Sequence, residues 1–221
     1  MAVKLSTDAR LRAEFLAKIK SNKYHYQVST FTKEDRYPFL FRYCAQYLQQ
    51  FVSPKILSFG CSTGEEVRTL GRYLPNAFII GIDINKWCIK QCNKNNRKTN
   101  FFFYHRLSKE FKTLDSLDAV FCMAVFQRTE NRTNKNNTTA SGFNFELFEK
   151  ELILLDSKLK VGGLLIIDHA DFSFMDTVIA ERYMPSEFEQ NLLLRNRPLF
   201  NRDNIKISDV TFLCRVFVKQ R

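Results

Sequence analysis

Short apolar runs alternate with amphipathic stretches along most of this chain. The apolar runs read as strands and lie at 55–59, 77–82, 101–104, 118–122 and 164–168. Between them, apolar residues recur at helical spacing, most clearly over 86–95 and 145–158. Strands that read as continuous apolar runs are typical of parallel sheets with both faces covered. The pattern therefore predicts an α/β fold, a mostly parallel sheet with helices on both faces.

The region before the first strand has a helical pattern. Thr7-Asp8 is suited to cap a first helix that runs to about Lys20. Pro38 is suited to the first position of a second helix, which would end near Val52. We therefore expect residues 1–52 to form a helical N-terminal cap on the sheet.

The alternation breaks after the fifth predicted strand. Val161-Gly162-Gly163 is expected to end the preceding helix and lead into that strand. Residues 175–190 then read as largely helical, and residues 210–218 read as a terminal strand, antiparallel to the others. With no internal repeat, residues 53–221 are expected to form one Rossmann-like region, in a single domain overall with the cap.

A glycine-bounded turn follows the first strand and carries the main functional signal. Gly60-Cys61-Ser62-Thr63-Gly64 lets backbone approach a ligand closely, and a helix begins directly after it, near Glu65. The second strand ends in Asp83, about twenty residues further on. A carboxylate there can accept hydrogen bonds from two ribose hydroxyls. Together the turn and the acid predict a nucleotide site.

The same turn also fits the G-x-S-x-G pattern of a serine-hydrolase nucleophile elbow. That interpretation requires a later acid and histidine, and His169 is the only late histidine in the chain. Only one sheet strand precedes the turn, whereas an elbow usually follows several. The cofactor-loop interpretation is therefore favoured, with Ser62 as a loop residue.

Four landmarks in order resemble the class I S-adenosylmethionine-dependent methyltransferases. They are the glycine turn, Asp83, Cys122-Met123-Ala124 after the fourth strand, and the Gly162-Gly163 entry to the fifth. The run from Gly60 to Glu66 is similar to that of the chemotaxis-receptor protein methyltransferases, as is Ser29-Thr30-Phe31 ahead of it. The segment from Phe121 to Arg132 is also similar to uncharacterised bacterial methyltransferase-like proteins. Met123 and Ala124 depart from the arginine and asparagine of the chemotaxis branch, so its glutamate substrate is not carried over.

The resemblance implies S-adenosylmethionine as the cofactor and a methyl acceptor over the carboxyl ends of strands four and five. His169 is the candidate general base there, although many methyl transfers need only alignment. Arg128, Glu130, Asp168 and Asp171 are expected in the same region. The implied cofactor-binding residues are Gly60, Cys61, Ser62, Thr63, Gly64, Glu65, Asp83, Ile84, Cys122 and Met123.

Charge adds a second hypothesis about partners. The chain of 221 residues has a formal net charge of +11. Part of the excess is local, in a basic segment whose cations are Lys86, Lys90, Lys94, Arg97, Lys98, Arg106, Lys109 and Lys112, against the single acid Glu110. Clustered cations of this kind favour a phosphate backbone. An RNA-binding protein or RNA methyltransferase is therefore an alternative to an enzyme acting on a small molecule or protein side chain.

The remaining patterns limit the class of protein. The six cysteines form no CxxC pair, and although Cys88 and Cys92 lie one helical turn apart, a buried helix face is favoured there over a metal site. The first residues show no long apolar core, so we expect reduced thiols and a cytoplasmic location. No stretch of the sequence is apolar over enough residues to span a membrane.

The polar segment 129–142 is expected to be a mobile loop near the acceptor. A cofactor-binding but inactive regulator is the third possibility, and the oligomeric state is not predicted.

Overall fold

The computed structural model describes residues 8–19, 26–27, 29–128, 130–132, 137–139, 142–187 and 193–221. The described helices are α1 (Ala9–Ile19), α2 (Pro38–Leu48), α3 (Glu65–Tyr73), α4 (Lys86–Asn95), α5 (Lys109–Thr113) and α6 (Phe145–Asp156). The described strands are β1 (Lys55–Phe59), β2 (Phe78–Asp83), β3 (Phe101–His105), β4 (Leu117–Met123), β5 (Leu159–Asp168), β6 (Tyr183–Pro185), β7 (Leu193–Phe200), β8 (Lys206–Leu213) and β9 (Val216–Lys219).

Seven strands form one sheet in the order β3-β2-β1-β4-β5-β9-β6, and β7 pairs with β8 in a separate hairpin. Strands β1 to β5 are parallel, and β9 runs antiparallel to both β5 and β6. The predicted Rossmann-like sheet is confirmed, including its antiparallel C-terminal strand. Chain order reverses between β1 and β4, which opens a crevice at the carboxyl ends of these strands.

Hydrophobic layers cover both faces of the sheet. In β4 all seven residues are buried, and alternate side chains enter opposite layers: Val120 and Cys122 on one side, Phe121 and Met123 on the other. This is the reason that the central strands read as unbroken apolar runs. Many of the phenylalanines pack together beneath the segment that follows β4, with Phe126 and Phe148 rings 5.3 Å apart.

The described N-terminal helices agree with their sequence signals. The Asp8 carboxylate accepts hydrogen bonds from the backbone N–H groups of Arg10 and Leu11 and so caps α1. Thr7 and Lys20, the other predicted bounds of that helix, lie outside the described residues. Pro38 is the first residue of α2, which ends at Leu48, four residues before the predicted position. The boundary of the cap at residue 52 stays a prediction.

The predicted helix over 175–190 is wrong within the described residues. The chain there makes two short 3-10 turns, Phe174–Asp176 and Ala180–Arg182, and then β6, while 188–190 lie outside the described part. The buried Asp156 carboxylate explains the difference, because it accepts hydrogen bonds from the Tyr183 hydroxyl at 2.8 Å and the Arg182 guanidinium at 2.7 Å. These contacts hold the backbone extended against β9, and they outweigh local helix propensity.

Two further boundaries differ from expectation. Helix α6 ends at Asp156 and β5 already begins at Leu159, so Gly162 and Gly163 lie inside that strand and do not precede it. The pairing of β4 with β5 shifts register in this part, where Gly162 has a φ of +78°. The predicted terminal strand over 210–218 is two strands, because β8 ends at Leu213 and β9 begins at Val216. None of the described helices is both long and apolar enough to cross a membrane.

Candidate cofactor site

A cavity of about 360 Å³ opens at the carboxyl ends of β1, β2 and β4. Its walls come from the glycine turn after β1, the end of β2, the segment after β4 and the N-terminal segment 26–37, of which 26–27 and 29–37 are described. This is the crevice that the reversal of strand order predicts.

The glycine turn forms the floor of the cavity. Gly60 has a φ of +80°, and a Cβ added there would lie 2.7 Å from Cγ2 of Val125. The backbone N–H groups of Gly60 and Cys61 both donate to the Ile82 carbonyl, at 2.8 and 3.0 Å. The turn is thus fixed to the end of β2. A glycine is required at its first position, because the φ is positive and a side chain there would clash with Val125.

Asp83 lies at one end of the cavity with its carboxylate fixed by backbone donors. Oδ2 accepts from the Ser62 N–H at 2.8 Å, and Oδ1 accepts from the Asn85 N–H at 2.7 Å. Since each oxygen has two lone pairs, the carboxylate keeps capacity to accept hydrogen bonds from a ligand. Burial raises the pKa of Asp83, and these backbone hydrogen bonds oppose the rise by favouring the carboxylate.

Glu66 and Arg36 place a carboxyl group and a guanidinium group elsewhere in the same cavity. Glu66 Oε1 accepts from the Ser58 hydroxyl at 2.8 Å, and burial raises the pKa of Glu66 to about 8. The Arg36 guanidinium acts in the opposite direction on that pKa, and it lies 5.2 Å from the centre of the Tyr37 ring. An ionised Glu66 carboxylate and the Arg36 guanidinium, both lining this cavity, can bind the ammonium and the carboxylate of a zwitterion.

The segment before α2 crosses the cavity and is attached on two sides. The Tyr26 ring is buried against Phe126 and Phe143, at centroid distances of 5.8 and 5.1 Å. The Thr30 carbonyl accepts from the Ser62 hydroxyl at 2.9 Å. The segment therefore joins the glycine turn to the wall that follows β4.

The predicted cofactor residues separate into two groups. The cavity wall includes Gly60, Cys61, Ser62, Asp83, Ile84 and Met123. It does not include Thr63, Gly64, Glu65 or Cys122. Glu65 instead pairs with Arg68 at 3.0 Å, and the Cys122 side chain is buried in the core. Since successive side chains of a strand point to opposite faces, Met123 and Cys122 cannot share one environment.

Sequence reasoning missed several residues of the wall. Glu66 lies one position beyond the predicted set, within the run that carried the resemblance, so its signal was present. Arg36, Tyr37 and Gln127 also line the cavity. Arg36 and Tyr37 carry no local motif, and only the folded chain brings them to the glycine turn.

His169 lies beside the cavity and not on its wall. It follows β5 with a φ of +56°. Its Nδ1 is 3.0 Å from Oδ1 of the buried Asp168 and 3.5 Å from the hydroxyl of Tyr37, which does line the cavity. A protonated Nδ1 donates to Asp168, and an unprotonated one can accept from Tyr37. The imidazole therefore contacts the cavity through Tyr37.

The other residues expected near the acceptor have mainly structural contacts. Asp171 is buried, and its Oδ2 accepts from the Arg128 N–H and from Asn131 Nδ2, both at 2.7 Å. It thereby joins the segment after β5 to the segment after β4. Glu130 is exposed in a 3-10 turn. The expected mobility of 129–142 stays a prediction, because 129, 133–136 and 140–141 lie outside the described residues.

The described residues contain no group of three or more histidine, cysteine or acidic side chains that could hold a metal ion. All six cysteines are free thiols. Burial raises the pKa of the Cys61 and Cys122 thiols, which keeps them protonated and poorly nucleophilic.

Residues 56–139 match a family model described as a methyltransferase domain. The match begins in β1 and includes the glycine turn, Asp83 and all of β4. The resemblance to methyltransferases is thereby confirmed over this segment. The finer similarity to the chemotaxis-receptor branch stays a prediction.

Several solved structures are similar to part of the chain. PKMT2 from Rickettsia typhi is 19% identical, with 62% of this chain and 26% of that one covered and a TM-score of 0.41. The plantazolicin methyltransferase BpumL, in complex with SAH, is 20% identical, with coverages of 71% and 61% and a TM-score of 0.41. YjhP from E. coli is 19% identical, with coverages of 71% and 55% and a TM-score of 0.41. This chain thus spans at most 61% of these three solved chains. None of the curated protein sequences compared with the chain matches it.

Proposed function

We propose that this protein is an S-adenosylmethionine-dependent methyltransferase that uses the cavity over the glycine turn. One observation carries the proposal: a single cavity has a backbone-fixed carboxylate at Asp83 and, elsewhere on its wall, the Glu66 carboxyl and the Arg36 guanidinium. A cofactor in which a nucleoside is joined to an amino acid needs this combination. The ribose hydroxyls need a hydrogen-bond acceptor, and the ammonium and carboxylate of the amino acid need partners of opposite charge. The match to a methyltransferase domain supports the same conclusion.

The residues present fit this cofactor. The spare lone pairs of Asp83 would accept the two ribose hydroxyls, while Glu66 would accept the ammonium group and Arg36 would donate to the carboxylate. The absence of a side chain at Gly60 allows the Val125 side chain, which also lines the cavity, to pack against the glycine turn. When bound, the cofactor supplies a methyl group that is activated by its sulfonium.

The acceptor in this proposal is a small molecule or a protein side chain. One wall of the cavity is formed by Met123 at the end of β4 and by Val125 and the buried Gln127 after it. Segment 26–37 forms another, so an acceptor that reacts there has to be small or to present a narrow group. These walls would align the acceptor and exclude water, which are the main contributions a methyltransferase makes.

His169 enters the proposal as a base that acts through Tyr37. A proton leaving an acceptor at the Tyr37 hydroxyl could pass to the imidazole, and Asp168 would stabilise the imidazolium that forms. His169→Gln is then expected to lower activity toward a hydroxyl acceptor at pH values where the wild-type imidazole is unprotonated, and to have little effect at low pH, where the wild-type imidazole is already protonated. Transfer to an acceptor that needs only alignment would be unaffected.

The experiment is transfer of a labelled methyl group to a library of metabolites and peptides. Wild type is compared with Asp83→Ala, with folding of both confirmed by circular dichroism. We expect incorporation that depends on Asp83. Wild-type protein that binds the cofactor but labels no acceptor would support the inactive-regulator alternative and contradict the proposed activity.

A further inference from the structure

Helix α4 presents a row of lysines to solvent. Lys86, Lys90 and Lys94 are all exposed, and their four-residue spacing places them along one side of the helix, about 6 Å apart. The opposite side, with Cys88 and Ile89, is buried against the sheet. We refer to Lys86, Lys90 and Lys94 as the lysine face.

This arrangement works against the stability of the helix itself. Like charges at four-residue spacing repel each other, and a lysine in the first turn opposes the helix dipole. The helix contains no acidic residue to offset them. Within the described part of the chain, none of the three lysines has an ion pair within 4 Å. Lys94, in the last turn, complements the dipole, but the two lysine pairs remain uncompensated and leave a positive surface open to an anionic partner.

An aromatic ring accompanies the lysine face. Trp87 is the only tryptophan in the chain, and it is partly exposed. It lies three residues before Lys90, one turn away on the same side of the helix. Phosphate-binding cations beside a partly exposed aromatic ring are the features by which proteins bind single-stranded nucleic acid, since bases stack on the ring.

The face continues beyond the helix and begins beside the cofactor cavity. Arg97 and Lys98 are exposed directly after α4, and Asn85, its N-cap, lines the cavity. Arg106 is not part of this surface, although the sequence placed it in the basic segment. Its guanidinium is buried and binds both carboxylate oxygens of Glu151, at 2.8 and 2.9 Å.

We propose that the lysine face, with Trp87, is a docking surface for single-stranded nucleic acid. The three lysines lie at regular intervals along the helix, which suits a nucleic-acid backbone with one phosphate per nucleotide. An anionic membrane is disfavoured, because the apolar side of α4 is buried in the core and cannot enter lipid. The proposal does not depend on methyl transfer, and its test contains no methyl donor.

The test is a titration of the full chain with a mixed-sequence RNA of about 16 nucleotides. Binding is followed by fluorescence anisotropy of the labelled RNA and by quenching of Trp87, at several salt concentrations. The variant Lys86→Gln/Lys90→Gln/Lys94→Gln keeps residues of similar helix propensity. If each lysine neutralises one phosphate, the variant reduces the slope of log affinity against log salt by about 2. At about 50 mM salt its affinity should fall on the order of 100-fold.

The matched control removes three exposed cations elsewhere: Arg42→Gln/Lys150→Gln/Arg202→Gln. Both variants have the same net charge, and both are checked for an unchanged thermal transition. We expect the control to keep most of the affinity and the Trp87 quenching. Equal losses in the two variants would overturn the proposal in favour of net charge alone. Absence of RNA binding by wild type near 50 mM salt would also overturn it, as would tighter binding to phosphatidylserine vesicles than to RNA.

Discussion

The protonation of Glu66 gives the sharpest prediction about the cofactor cavity. In the ligand-free protein, burial raises the pKa of this carboxyl from 4.5 to about 8, so it is mostly neutral at pH 7. A cofactor whose ammonium binds Glu66 requires the carboxylate. Binding should therefore release nearly one proton per site at pH 7, and affinity should weaken about tenfold for each pH unit below 8. Above pH 8 the dependence should level off, because the carboxylate is already formed.

Calorimetry with S-adenosylhomocysteine measures this proton release directly. The titration is repeated between about pH 6 and 7.5 in two buffers of different ionisation enthalpy, so that released protons appear as a buffer-dependent heat. Glu66→Gln should bind more weakly at pH 7.5, with neither the proton release nor the steep pH dependence. Glu65→Gln is the matched control, since Glu65 pairs with Arg68 outside the cavity. Buffer-independent heats and a flat wild-type affinity over this range would refute the assignment of Glu66 to the ammonium.

Three substitutions test how the site and the fold are held. Gly60→Ala adds a Cβ 2.7 Å from Val125 at a positive φ. Affinity for S-adenosylhomocysteine should therefore fall about tenfold, and the free energy of unfolding by about 1–3 kcal/mol. Unchanged affinity would contradict the close packing of the turn. Asp156→Ala leaves the buried Lys219 ammonium without its carboxylate and should lower the free energy of unfolding in urea by about 3 kcal/mol; a near-neutral effect would contradict the burial of this pair. Asp171→Ala removes the acceptor that joins the segments after β4 and β5, so amide exchange should accelerate near residues 126–132; wild-type protection there would contradict this role.

The parallel sheet was predictable because its signal is local. β4 is buried along its whole length, so its residues are apolar on both faces except for Asp118, which pairs with Lys160. The glycine turn and Asp83 were also accessible to sequence reasoning, because a positive φ and a strand-end acid leave residue-type signatures. The 3-10 turns before β6 were not, since the Asp156 carboxylate that holds Arg182 and Tyr183 lies more than twenty residues away in the chain.

The cavity shows the same division between local and tertiary information. Alternation along β4 could have indicated that Cys122 and Met123 face opposite layers, and that only one of them reaches the site. The resemblance at Ser29-Thr30-Phe31 points to the segment before α2, but nothing in the residue types of Arg36 or Tyr37 indicates that they lie over the glycine turn. Their position depends on the packing of segment 26–37, including burial of the Tyr26 ring against Phe126.

Calorimetric titration of the folded wild-type protein with S-adenosylhomocysteine is the decisive measurement for the cofactor site. We expect saturable binding at one site per chain, weakened about tenfold to a hundredfold in Asp83→Ala because charged hydrogen bonds to the ribose are lost. Equal affinity in Asp83→Ala would contradict the ribose assignment alone. Absence of binding by a wild-type protein shown to be folded would contradict the cofactor site itself.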